Sequence, residues 1–65
     1  MSAMLDSIHY VFGNLVSIID VKWRYKTREY IVSLFRDNVL EARIIFSDLE
    51  NAKDQALEHL ASCEL

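Results

Sequence analysis

Lys22, Arg24, Lys26 and Arg28 stand at alternate positions, with Trp23 and Tyr25 between them, in the run V-K-W-R-Y-K-T-R-E-Y-I-V-S-L-F over residues 21–35. Successive side chains of an extended strand point to opposite faces. The spacing therefore concentrates four of the chain's seven Lys and Arg residues in one short piece of sheet. Cationic groups on a β-ribbon can reach bases and phosphates in a major groove, so nucleic acid is one partner these residues fit. Charges on a strand also keep it soluble and block pairing at a sheet edge.

Other constellations are weaker. His59 and Cys63, four apart, could place two metal ligands on one helix face, but a structural zinc site takes four. No metal site is expected from them. Asp6, Ser7 and His9 have the residue types of a nucleophile and its base, yet no glycine-rich elbow accompanies them to build an oxyanion hole. The simpler expectation is that Asp6 or Ser7 begins an element and that His9 lies on a sheet surface. With a single Gly there is no phosphate-cradling loop. Neither catalytic residues nor a cofactor are expected, and the chain is read as a non-enzyme.

Around the basic run the pattern is that of a meander. Met1, Leu5, Ile8, Phe12, Leu15 and Ile19 recur at helical spacing through residues 2–20, but from Ile8 onward β-branched and aromatic residues dominate and suit strands. Gly13-Asn14 is a two-residue loop with Gly first, as a type II′ turn requires. A hairpin pairing Phe12 with Leu15, Tyr10 with Ser17 and Ile8 with Ile19 is expected, with a helix over the same residues as the alternative. A reversal at Lys26-Thr27 then sets Trp23 opposite Tyr30, Val21 opposite Val32 and Ile19 opposite Leu34, with Arg24 across from Glu29. Arg36-Asp37-Asn38-Val39 is the next turn. Parity requires a three-residue loop there, which puts Leu34 opposite Ala42, Val32 opposite Ile44 and Tyr30 opposite Phe46. Ser47-Asp48-Leu49-Glu50 reads as a capping box with Ser47 as the cap, opening a helix whose apolar stripe is Leu49, Ala52, Ala56, Leu57 and Leu60.

The expected fold is α+β: one small domain over residues 1–65, an antiparallel β-meander of three to four strands with one C-terminal helix packed on one face. The helix-facing side would carry Ile8, Tyr10, Phe12, Leu15, Ile19, Val21, Trp23, Tyr30, Val32, Leu34, Ala42, Ile44 and Phe46. Val11, Val16, Ile18, Ile31, Phe35 and Ile45 then point away from the only helix. A soluble monomer rarely leaves so large an apolar patch in water, so these six residues are expected to form a homodimer interface.

Composition sets the remaining bounds. A chain this short buries only about 60% of the surface its unfolded form exposes. With one cysteine it has no internal disulfide to compensate. Its residues are 52% hydrophobic and include no Pro, which is not the composition of a disordered chain. Neither a signal peptide nor a spanning helix is legible, and the lone thiol fits a cytoplasmic protein. A formal net charge of −3 disfavours nucleic-acid binding by bulk charge while leaving the local basic run. The reading that results is a small interaction module of the regulator or inhibitor type. It acts as a homodimer on an unidentified protein partner and not on membranes, with nucleic-acid binding through Lys22, Arg24, Lys26 and Arg28 as the alternative.

Overall fold

A computed structural model of the chain describes residues 7–62. Strands β1 (Ser7–Phe12), β2 (Leu15–Arg24), β3 (Thr27–Arg36) and β4 (Val39–Phe46) form one antiparallel sheet in the order β1-β2-β3-β4, and helix α1 (Leu49–Ala61) packs against it. The α+β meander is thus the observed fold. Its amino-terminal segment is a hairpin from Ser7 onward, while Met1 and Leu5, which belonged to the helical spacing, lie outside the described residues.

The first hairpin follows from its turn. Gly13 has φ 63, the positive value that the first position of a type II′ loop demands and that glycine adopts without a Cβ clash. Phe12↔Leu15, Tyr10↔Ser17 and Ile8↔Ile19 pair as the alternation requires.

The second hairpin differs from the sequence expectation by two residues. Tyr25-Lys26, not Lys26-Thr27, is the loop, so Arg24 pairs with Thr27, Trp23 with Arg28, Val21 with Tyr30 and Ile19 with Val32. A shift of two leaves every side chain on its original face, and hydrophobic alternation is blind to it. Side-chain pairs select the register. Lys22 sits directly opposite Glu29, and the Arg28 guanidinium lies 4.6 Å from the centre of the Trp23 ring. Arg24 meets Glu29 only diagonally, at 3.9 Å.

The third hairpin also corrects an expectation. Its loop has two residues, Asp37-Asn38, both at positive φ (53 and 66), the backbone of a type I′ turn. Parity is restored by a β-bulge. Leu34 pairs with Ala42 but Phe35 with Leu40, which leaves Glu41 as the extra residue. The Glu41 carboxylate is held by Arg36 Nε at 3.1 Å. Beyond the bulge Val32↔Ile44 and Tyr30↔Phe46 pair as expected, and the same bulge turns Leu40 to the side of the sheet away from the helix.

The core is centred on Ile19, Tyr30, Val32 and Leu34 beneath Ala52 and Ala56, with Ile8, Tyr10, Val21, Ala42, Ile44, Phe46 and Leu49 packed at its margin. Two alanines at i and i+4 let the helix backbone lie close on β2. As a result the buried Ser17 hydroxyl donates to the Ala56 carbonyl at 2.9 Å. His59 continues the stripe one turn further. Its ring is buried, and Nε2 donates to the Phe35 carbonyl beside the bulge at 3.0 Å. Leu57, expected in the stripe, is about half exposed instead, because positions 52, 56 and 59 repeat the face that 57 does not share. Phe12 and Trp23 are also largely exposed; they stand on the helix side of the sheet but at its two ends.

The helix cap falls one residue later than the S-x-x-E pattern indicates. Asp48 is extended (φ −128, ψ 131), and its carboxylate accepts the Asn51 backbone N–H at 3.2 Å. Asp is as good an N-cap residue as Ser, though Asn51 does not complete a capping box, and a carboxylate also complements the positive helix N-terminus. Asp48→Ala is therefore expected to lower stability by about 1 kcal/mol, while Ser47→Ala behaves like the exposed control Glu58→Ala in urea unfolding. An equal loss at Ser47 would overturn this cap. The close helix seat is tested at Ser17: Ser17→Ala should cost about 1 kcal/mol for the lost hydrogen bond, and Ser17→Val roughly 1–3 kcal/mol because the larger side chain forces the helix off the sheet. A Ser17→Val protein more stable than the parent would show that the helix is not held there.

Candidate binding surfaces

Helix α1 has 13 residues, and at a rise of roughly 1.5 Å per residue it spans only about 20 Å. The molecule is 41 Å along its longest axis. The difference is mostly the β2–β3 hairpin. β1 starts at Ser7, opposite Asp20, and β4 ends at Phe46, opposite Tyr30. Among the described residues no third strand flanks the pairs Lys22↔Glu29, Trp23↔Arg28 and Arg24↔Thr27. These pairs and the Tyr25-Lys26 loop project as a two-stranded ribbon.

The four basic residues singled out by spacing are all on this ribbon, but not on one face. Lys22 and Arg24 lie on the side away from the helix, Arg28 lies on the helix side against Trp23, and Lys26 is in the loop. One reason is the loop itself, which interrupts the alternation after Arg24. Residues 22–29 hold four of the chain's seven basic residues and one, Glu29, of its ten acidic ones. Tyr25 is 96% exposed and has φ 58. At the foot of the ribbon, on the helix side, Val21, Trp23, Arg28, Tyr30, Ser7, Ile8 and Leu49 line a cleft of about 350 Å³.

The second surface is the sheet face opposite the helix. The registers arrange it in rows across all four strands: Val11, Val16, Phe35 and Leu40 form one, His9, Ile18, Ser33 and Arg43 the next, and Ser7, Asp20, Ile31 and Ile45 a third. Val11, Val16, Ile18, Ile31, Phe35 and Ile45, assigned to an interface by alternation, therefore share this face. Val11 is 67% exposed and Ile45 59%, whereas Val16, Ile18, Ile31 and Phe35 are half-buried. Leu40, 44% exposed, joins them. The sequence signal for it was the Asp37-Asn38 pair, which suits a type I′ loop and forces a bulge to keep the core in register.

Ser7 Oγ lies 3.2 Å from His9 Nε2 on one exposed face of β1, and Asp6 lies outside the described residues. A hydroxyl and an imidazole on an exposed strand face, with no oxyanion hole beside them among the described residues, make a surface contact. Of the His59–Cys63 pair, Cys63 is outside the described residues, and the His59 Nε2 atom is committed to the Phe35 carbonyl. Among the described residues no three His, Cys, Asp or Glu side chains gather at one point, and no helix is long and apolar enough to cross a membrane. Compared with protein families, with characterised proteins and with solved structures, the chain matches none.

Proposed function

We propose that this chain is a non-enzymatic interaction module that works as a homodimer, two copies packing their open sheet faces together. The apolar row Val11, Val16, Phe35 and Leu40, continued by Ile18, Ile31 and Ile45, carries the proposal. A four-stranded sheet face matches another sheet face better than it matches a loop. Two sheets stack about 10 Å apart with interdigitating side chains, and helix-sheet-sheet-helix layering covers both faces of each sheet.

Magnitudes favour a second copy. The chain exposes 4826 Å². A standard interface buries about 800 Å² per partner, roughly a sixth of that surface. Covering even ~400 Å² of apolar area on each copy contributes roughly 20 kcal/mol at about 25 cal/mol per Å², before association costs of about 4–15 kcal/mol. Asp20 and Arg43 give the face both signs of charge, so a two-fold contact can place unlike charges together. What the dimer presents outward is binding surface: the basic ribbons and the acidic side of α1 with Glu50, Asp54 and Glu58. Such a module regulates or inhibits by occupying another macromolecule.

Sedimentation equilibrium at micromolar concentration should give twice the 7.6 kDa chain mass. Ile45→Asp, at an exposed position on the open face, should return a folded monomer. A parent protein that stays monomeric throughout that range removes the dimer, and a dimer indifferent to Ile45→Asp moves the contact to another face.

A further inference from the structure

We infer that the projecting β2–β3 ribbon binds single-stranded nucleic acid, with a base stacked on Trp23 over the cleft, a second on Tyr25, and the phosphates held by Lys26 and Arg28 with Lys22 and Arg24 alongside. This names the class of macromolecule for the proposed binding module and does not require the dimer: Trp23 and Arg28 lie on the helix side and Tyr25 and Lys26 in the loop, while Lys22 and Arg24, on the open side, stand past its last apolar row.

Tyr25 is the first ground. In the left-handed region the Cβ of a non-glycine residue crowds the following carbonyl, and glycine is a residue this loop position favours. Tyr25 occupies it with φ 58 while 96% of its surface remains in water. A ring so exposed returns almost no packing energy to the fold. Strain of this kind concentrates where a residue serves a partner, and a bare aromatic ring at a ribbon tip serves by stacking.

Charge is the second ground. The chain as a whole is acidic at −3, yet four cations and one carboxylate share the ribbon. Segregation on that scale favours approach by the tip and repels a polyanion elsewhere. Aromatic platforms set within a cationic track are the means by which proteins hold single strands, since every base has a face to stack and every nucleotide a phosphate.

The third ground distinguishes single strands from a duplex. Trp23 is 62% exposed although the Arg28 guanidinium lies over one face of its ring, and both side chains line the 350 Å³ cleft together with Val21, Tyr30 and Leu49. A partly apolar cleft lined by an indole and a guanidinium can accept a splayed-out base, whose phosphate can reach Arg28. Bases in a duplex are stacked on one another and closed to it. The basic residues are moreover divided between the two faces of the ribbon, which suits a flexible strand wrapping the tip better than one face pressed into a groove.

Trp23 is the only tryptophan in the chain, so its fluorescence reports the proposed stack directly. The test is titration of the full-length protein with a dT oligonucleotide and a U oligonucleotide, a mixed-sequence duplex and heparin, at low salt, following Trp emission and the anisotropy of labelled ligand. Single strands should quench Trp23. Their affinity should fall with salt with a log–log slope of about −2 to −3, as three or four phosphate contacts at roughly −0.7 each require. Trp23→Ala and Tyr25→Gly should each weaken binding roughly tenfold, the loss of one base stack, and Lys26→Glu with Arg28→Glu should abolish it. All four positions are exposed; far-ultraviolet circular dichroism and sedimentation confirm that the variants keep the fold and the parent's oligomeric state. Absence of binding to single strands at low salt overturns the inference. So does equal or tighter binding of the duplex, or heparin binding matched by single strands without Trp quenching, which would mark a mere polyanion surface. Because dimerisation is read separately, either conclusion can fail without the other.

Discussion

A sheet has two faces, and the described residues supply one helix to cover them. That constraint shapes the rest of the molecule. The helix is short, so it can cover only the central part of one face, and it does so efficiently because Ala52 and Ala56 let its backbone settle onto β2. The settling is fixed at two points by hydrogen bonds rather than by bulk: Ser17 to the Ala56 carbonyl in the middle of the helix and His59 to the Phe35 carbonyl near its end. Both polar side chains are buried and both are satisfied, which avoids the cost of unpaired groups inside a small core. Larger stripe residues would cover more of the sheet from further away, and neither hydrogen bond could form.

What the helix leaves uncovered divides into two regions of opposite chemistry. Across the sheet lies a broad apolar face whose rows run through all four strands. Past the helix N-terminus lies the ribbon, where β2 and β3 continue with no flanking strand among the described residues and carry most of the positive charge. A chain of this size holds little surplus stability, so a partly exposed apolar face and a tyrosine in the left-handed region are costs against a small margin. They are intelligible as surfaces used in association.

The turns at the far end show how the meander is made to agree with itself. Gly13-Asn14 and Asp37-Asn38 belong to hairpins that are not adjacent in sequence, yet Asn14 receives the Asp37 backbone N–H on its carbonyl at 3.0 Å and gives its side-chain amide to the Asp37 carboxylate at 2.9 Å. These contacts exist only when β2 and β3 pair in the observed register, since that register brings Leu15 opposite Arg36. The bulge at Glu41 is part of the same solution. It lets a two-residue loop close the third hairpin while Ala42, Ile44 and Phe46 remain over the core.

Period-two alternation, together with Gly13 and the polar residues before Leu49, was sufficient to point to β2, β3 and β4, the terminal helix and the six apolar residues that share the open face, while the amino-terminal segment read as a hairpin with a helix as the alternative. It was sufficient because each of those features is local, or depends only on parity. The register of the second hairpin was not legible, because a slip of two residues preserves parity and is decided by Lys22 meeting Glu29, Trp23 meeting Arg28 and Asn14 meeting Asp37 across the sheet. Nor was the cap, since Ser47 and Asp48 both satisfy the local rule and only the end of β4 pairing at Phe46 chooses between them. The role of His59 likewise belongs to the tertiary structure, since it depends on a carbonyl twenty-four residues distant, and Leu40 changes face through the bulge at Glu41, which its Asp37-Asn38 loop signals and the β3–β4 register sets. The basic residues were visible as a cluster, but their position on a two-stranded ribbon beyond the end of β4 at Phe46 belongs to the pairing of the sheet.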